Sequence, residues 1–115
     1  MSKQTDADRL RHMLEAAEKA TEFSRNKTRE DFHRDQQLLF AVARCIEIIG
    51  EAASCVSEEA RTRHSSIEWG GAIAMRNRII HGYFDVDPDI VWATVQNNLP
   101  KLIESLFQII PHEMT

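Results

Sequence analysis

Leu38-Leu39-Phe40-Ala41-Val42-Ala43-Arg44-Cys45-Ile46-Glu47-Ile48-Ile49-Gly50-Glu51-Ala52-Ala53-Ser54-Cys55-Val56 is the stretch that sets the fold class. Within it Leu38, Val42, Cys45, Ile49, Ala52 and Val56 step alternately by four and by three, the seam of a long antiparallel bundle helix. Residues 30–57 hold no proline, and Gly50 is their one glycine, so the spacing predicts a single helix across this span, the longest of the fold. Arg44, Glu47 and Glu51 lie along the edge of the seam. Two carboxylates four residues apart on one face repel mildly unless a cation stands opposite. Two readings are open: Glu47 and Glu51 position a cation from another helix, Arg76 or Arg78, or they pair with Arg44 on their own.

Working outward, Leu10, Met13, Leu14, Ala17, Ala20 and Phe23 give a first amphipathic helix over residues 6–24. Asn26-Lys27 breaks it, and Thr28 with Asp31 three residues on starts the next helix, Asp standing where a capping box usually has Glu or Gln. Downstream, residues 58–68 have no clear period and read as a loop, with His64 a solvated loop residue. Ser66 precedes a third helix in which Trp69, Ile73, Arg76 and Ile80 share a face; Trp69 reads as core rather than as a base-stacking platform. Gly70-Gly71 in its first turns predicts close packing against another helix. Asp87 as N-cap and Pro88 at the first helical position open a fourth helix, with Ile90, Val91, Val95 and Leu99 as its stripe. Pro100 kinks or divides that helix, Leu102, Ile103, Leu106, Phe107 and Ile110 continue the stripe, and Pro111 ends it. The expected fold is all-α, an antiparallel up-and-down four-helix bundle, in one domain over residues 1–115.

One segment does not fit the needs of a core. Met75-Arg76-Asn77-Arg78-Ile79-Ile80-His81-Gly82-Tyr83 gathers cations, an amide, an imidazole and a phenol at the end of the third helix. On a regular helix Arg76 and Tyr83 lie on nearly one face, with Asn77 and His81 on the next stripe. Arg76 and His81 diverge by roughly 140° on such a helix, so they converge only if the last turn unwinds or a second copy contributes. Gly82 is the expected site of a break.

The net charge of −4 argues against indiscriminate nucleic-acid binding, but its distribution is uneven. Residues 61–81 carry four Lys and Arg against one Glu, whereas residues 1–60 carry nine against twelve and residues 82–115 one against five. Phosphate attraction is therefore expected at one site, the motif, on an acidic body; Arg61 and Arg63 read equally well as a solvated loop. The polar N-terminus lacks the apolar run of a signal peptide and the longest apolar run, Leu38 to Ala43, stops at Arg44, so a cytoplasmic protein without a membrane span is expected. Cys45 and Cys55, about 15 Å apart along one helix, cannot bridge each other and read as packing residues. No glycine-rich phosphate loop, paired Cys ligands or metal-type carboxylate cluster is evident, and no cofactor is expected.

Arg76-x4-His81-x-Tyr83, with Asn77 beside the arginine, resembles the R-x4-H-x-Y signature of HepT-like toxins, which belong to the HEPN superfamily of small helical proteins. The resemblance extends over roughly residues 36–108. Arg44-x-x-Glu47-Ile48-Ile49-Gly50-Glu51-Ala52-Ala53 is similar to that family's second-helix signature, and Trp69, Tyr83-Phe84-Asp85-Val86-Asp87 and Ile90-Val91-Trp92 fit in order. It implies a homodimer with two helix-three ends at one cleft. It also implies a minimal nucleotidyltransferase antitoxin that silences the toxin by transferring AMP to the tyrosine, here Tyr83. Tyr83 as an interfacial packing residue is the other reading of that position.

RNA carries its own nucleophile, the 2′-hydroxyl. Cleavage needs a base for its proton, an acid for the leaving 5′-oxygen and a cation for the phosphorane charge. His81 suits either proton transfer because imidazole titrates near neutrality, and Arg76 suits the charge through its donor fork. Asn77 orients the imidazole or the phosphate. The scheme needs no metal. The sequence thus supports a metal-independent endoribonuclease acting as a toxin; the competing reading is a non-catalytic helical subunit that docks a nucleotidyltransferase and holds a nucleotide at the same cleft.

Overall fold

The computed structural model describes residues 4–81 and 85–113. Among them are seven helices: α1 (Asp6–Ser24), α2 (Arg29–Arg34), α3 (Gln36–Cys55), α4 (Glu58–Arg63), α5 (Trp69–Ile79), α6 (Pro88–Asn97) and α7 (Leu99–Glu113). The one other regular element among the described residues is a pair of two-residue strands, β1 (Ile80–His81) and β2 (Asp85–Val86). The all-helical expectation holds. Each of its four expected segments is present, but three are cut differently from the way periodicity suggests.

The helix starts explain the cuts. Thr5 caps α1 and Thr28 caps α2, each through a reciprocal capping box with Asp8 and Asp31 at the third position. Asp is short, yet it reaches the cap backbone at 3.0 and 2.8 Å. Asn26 between them adopts φ 62°, a left-handed conformation that asparagine tolerates better than most side chains, and this turns the chain out of α1. The predicted helix over 30–57 is two helices, because Asp35 leaves helical geometry and its carboxylate accepts from the Leu38 amide at 3.1 Å, starting α3 afresh. With 20 residues α3 is the longest described helix, as the seam required.

The expected loop over 58–68 contains α4. Ser57 caps it, and Asp6 at the start of α1 holds that serine at 2.6 Å through the hydroxyl and 2.9 Å through the amide. Glu58 and Glu59 in its first turn and Arg61 and Arg63 in its last suit the helix dipole. Six residues are too few to show an apolar period. At the other end, α6 begins where expected, with Asp87 accepting from the Asp89 and Ile90 amides and Pro88 in the first turn. The break before α7 falls at Asn98, so Pro100 sits in the first turn of α7, where its missing N–H costs nothing. Pro111 lies inside α7 rather than ending it.

α3 is the hub. It packs on α1 and α5 and also touches α2 and α6, while α1 packs in addition on α7. Arg9 of α1 donates to the Cys55 carbonyl at 3.0 Å, which puts the start of α1 beside the end of α3 and makes the two antiparallel. Leu10, Met13, Phe32, Val42, Ile46, Ile49, Ile79, Leu99 and Leu106 are fully buried among them, and each large side chain of this kind contributes about 1.5–3 kcal/mol by leaving water. Two expected core residues are on the surface instead: Phe23 is 42% exposed, its place taken by Ser24 bonded back to Ala20, and Phe107 is 56% exposed while Ile109 packs inward. Cys45 is buried, which pushes its thiol pKa up, and Cys55 is exposed; both are free.

The glycine that packs closely is not the expected one. A Cβ on Gly70 would meet nothing within 4 Å, and one on Gly71 only the Glu68 side chain at 3.7 Å. A Cβ on Gly50 would meet the carbonyl oxygens of Ala72 and Ile73 at 3.3 Å each. Gly50 thus lets the backbone of α5 rest on α3. Gly50→Val should overpack this crossing and cost about 1–3 kcal/mol despite its better helix propensity. Urea unfolding is the measurement, and a variant as stable as the wild type would mean that α5 backs away freely.

Candidate functional site

The site is built on α5, and α5 is fixed at both ends. At its start the Trp69 indole N–H lies 3.1 Å from the carbonyl oxygens of both Arg61 and His64, tying the helix to α4 and the turn after it. Trp69 is half-buried against the core, as expected of a packing residue, and His64 closes α4 rather than standing in a loop. At its other end the helix stops at Ile79. Ile80 takes φ −111°, ψ 124°, extended geometry that suits a β-branched residue. Ile80 then pairs with Val86 and His81 with Asp85, antiparallel. The Asp87 amide donates to the Ile79 carbonyl at 2.7 Å, closing the neck of this pair immediately before Asp87 caps α6.

The sequence expectation of a helix that breaks at Gly82 is therefore corrected. The break comes two residues before Gly82, and the helical phase between Arg76 and His81 does not apply. Ile80 is extended between them, with Arg76 in the last turn of α5 and His81 in β1 immediately beyond it. Gly82, Tyr83 and Phe84 lie outside the described residues, as does the side chain of His81. The expectation that Tyr83 is a modified residue therefore falls outside them.

Three motif side chains on α5 are described, and they point apart. Arg76 is half-buried, and its Cδ lies 3.5 Å from where a Gly50 Cβ would be, so its stem lies across α3 at the glycine crossing. Asn77 is exposed. Arg78 is exposed and faces the other flank of α5, toward the α6–α7 junction. Of the two readings open for Glu47 and Glu51, the pairing with Arg44 is the one observed, at 3.3 and 3.4 Å. At such distances and with Arg44 largely exposed, these ion pairs contribute little. Arg76 is next to this segment of α3 through Gly50 rather than through a carboxylate.

A cluster absent from the sequence reading anchors the far side of the strand pair. Asp89, in the first turn of α6, accepts from Arg29 and contacts His33 of α2, both at 2.7 Å. Arg29 first, then His33, hold its carboxyl down to about 2. The residues are 56 and 60 positions apart, so no local pattern could reveal them. Among the described residues no three His, Cys, Asp or Glu side chains converge as metal ligands, and no helix is long and apolar enough to cross a membrane.

Comparison with known proteins gives a consistent result. The family model described as "Ribonuclease HepT-like" matches residues 13–109. A protein of Thermococcus cleftensis named "Probable ribonuclease HepT" is 39% identical over 100 residues, covering 87% of this chain and 91% of that one. A "Putative RNase" of Caldanaerobacter subterraneus subsp. tengcongensis is 36% identical over 104 residues, covering 90% and 93%. Another "Putative RNase", of Methanocaldococcus jannaschii, is 31% identical over 102 residues, covering 89% and 94%. No solved structure matches the chain. With a match that takes in all of α3 and α5 and the whole Arg76–Tyr83 segment, the chain belongs to the ribonuclease HepT-like family.

Proposed function

We propose that the protein is an endoribonuclease that cleaves RNA through the substrate's own 2′-hydroxyl, without a metal, and serves as the toxin of a toxin–antitoxin pair. The observation that carries the reading is the end of α5, where Arg76 is seated on α3 at Gly50 and the chain unwinds at Ile80 just ahead of His81. In the reaction the 2′-oxygen forms a bond to phosphorus and the bond from phosphorus to the 5′-oxygen breaks, leaving a 2′,3′-cyclic phosphate. One imidazole takes the 2′-hydroxyl proton, an acid returns a proton to the 5′-oxygen, and the Arg76 guanidinium carries the charge of the phosphorane. Asn77, exposed beside Arg76, orients the phosphate or the imidazole. Arg78, on the other flank of α5, supports phosphate binding.

One chain supplies one motif histidine, so the reading includes a homodimer whose two α5 ends share a cleft. Sedimentation at micromolar concentration should give the mass of two chains; a monomer would remove the acid–base pair. Six of the seven described helices are read as four arms of one up-and-down domain, α2 with α3 as an interrupted arm and α6 with α7 as another, with α4 in the connection between α3 and α5. A cytoplasmic location belongs to the same reading.

Purified protein incubated with RNA in chelator should yield 2′,3′-cyclic ends. His81→Ala should lower the rate roughly 10²–10⁴-fold, and Arg76→Lys, which keeps the charge but loses the fork, on the order of 10²-fold or more. Full cleavage by the His81 variant would end the catalytic assignment. A protein that binds nucleotide and a nucleotidyltransferase but never cuts RNA would instead be the non-catalytic subunit.

Tyr83 is proposed as the acceptor of AMP from a minimal nucleotidyltransferase antitoxin. AMP is bulky and anionic, so at this position it would compete with RNA phosphate for Arg76. Mass spectrometry after incubation with that partner, ATP and magnesium should map one adenylate to Tyr83, the chain's single tyrosine. An adenylate that persists in Tyr83→Phe would refute this mode of silencing.

A further inference from the structure

On the flank of α5 opposite Arg76 a cleft of about 230 Å³ opens between the segment Ser66–Glu68, α5 and the α6–α7 junction. Its floor is apolar: Ile67, Ala72, Met75 and Leu102 line it, and all four are buried. Its rim is polar. Arg78 and Lys101 bring two cations from different helices, and Asn97 and Asn98 bring two side-chain amides from the end of α6. Arg78, Lys101, Asn97 and Asn98 are all exposed, and no side-chain hydrogen bond or ion pair to another described residue engages them. Lys101 is moreover the one lysine or arginine beyond residue 81, in a segment that is otherwise acidic.

An apolar slot rimmed by amides and cations matches the three parts of a ribonucleotide. The faces of a base need an apolar surface, its edge needs donors and acceptors, and its phosphate needs positive charge. The volume is below the roughly 300–1,000 Å³ of clefts for drug-sized ligands, which suits one ring system and not a larger molecule. Glu68 adds a constraint. It opens α5 without bonding its own helix through its side chain, and it lines the same cleft. A carboxylate there repels a bare phosphate but accepts a hydrogen bond from an exocyclic amino group.

Resting on the ribonuclease reading above, we propose that this cleft is a subsite for one unstacked nucleotide of the RNA substrate. Its base bears an exocyclic amino group and lies on Met75 and Leu102, and Arg78 and Lys101 hold the adjoining phosphate. Arg78 stands three residues before His81, so a strand seated here leads toward the end of α5 that carries the motif. The cleft thereby selects which stretch of RNA is presented for cutting.

Fully 2′-O-methylated RNA oligonucleotides, which have no free 2′-hydroxyl to attack, are the probe, with binding read by fluorescence anisotropy. Oligo(A) or oligo(C) should bind tighter than oligo(U). Gly71→Leu places a side chain in the cleft from a position where a Cβ makes only an ordinary 3.7 Å contact, and it should weaken oligo(A) and oligo(C) binding roughly tenfold with no loss of melting temperature. Lys101→Ala should lower the slope of log affinity against log salt by about 0.7, the loss of one phosphate contact. If wild-type protein binds and cuts RNA while both variants match it in affinity and salt slope, the subsite is refuted and the ribonuclease reading stands. That outcome would suit a cleft for a partner's peptide. Preference for oligo(U) would also overturn the proposal, and wild-type protein that neither binds nor cuts RNA would overturn both.

Discussion

The close approach of α5 to α3 at Gly50 is the contact on which the candidate site depends. Two backbone carbonyls of α5 lie where any side chain on Gly50 would press against them. With a Cβ at that position α5 would have to stand off. The same crossing seats Arg76, whose stem passes over the glycine. The rotation that turns Arg76 toward α3 turns Met75 and Arg78 toward α7, because residues on one helix cannot change face independently. A packing decision at one glycine therefore assigns the motif arginine to one flank and its neighbour to the other.

Beyond α5 the described chain is held by different chemistry. It leaves the helix at Ile80, pairs with residues 85 and 86, and is closed by the bond from Asp87 to Ile79. Asp87 then starts α6, and two residues later Asp89 is gripped by Arg29 and His33 of α2. The segment that carries His81 is thus bracketed by a packed helix on one side and a capped, ion-paired helix start on the other. Glu47 and Glu51 are paired with Arg44 on α3, and the exposed Arg78 and Lys101 face a different cleft.

Much of this is legible in the sequence, and the reason differs from element to element. The bounds of α1 and the start of α6 come from period and capping chemistry, which act within a few residues. The Arg76–His81 spacing stands out because no core would gather such side chains. Sequence reading fails where a contact distant in sequence decides. Ser57 depends on Asp6 to start α4. Gly50 serves packing whereas Gly70 does not, although glycine looks alike in both places. Elsewhere a strong signal hides a weaker one beside it. Asp35 splits the predicted long helix against an unbroken apolar seam. Period places Phe23 in the core, but the helix turns Ser24 inward instead. The end of α5 at Ile80 is masked because a glycine two residues on is the stronger local signal.

The helix starts also bear on how the protein meets acid. Asp6, Asp8, Asp31 and Asp89 all have carboxyl groups held below the ordinary range. Ser57 is the main cause for Asp6, the Thr5 and Thr28 backbones for Asp8 and Asp31, and Arg29 followed by His33 for Asp89. A group whose folded pKa is depressed contributes stability above its unfolded value and loses it as pH falls through the folded one. None of the four belongs to the apolar core. Acidification would therefore loosen the starts of α1, α2 and α4 before it reached the α1–α3 interior, while Asp89, held lowest of the four, would keep its grip on the frame around the strand pair longest.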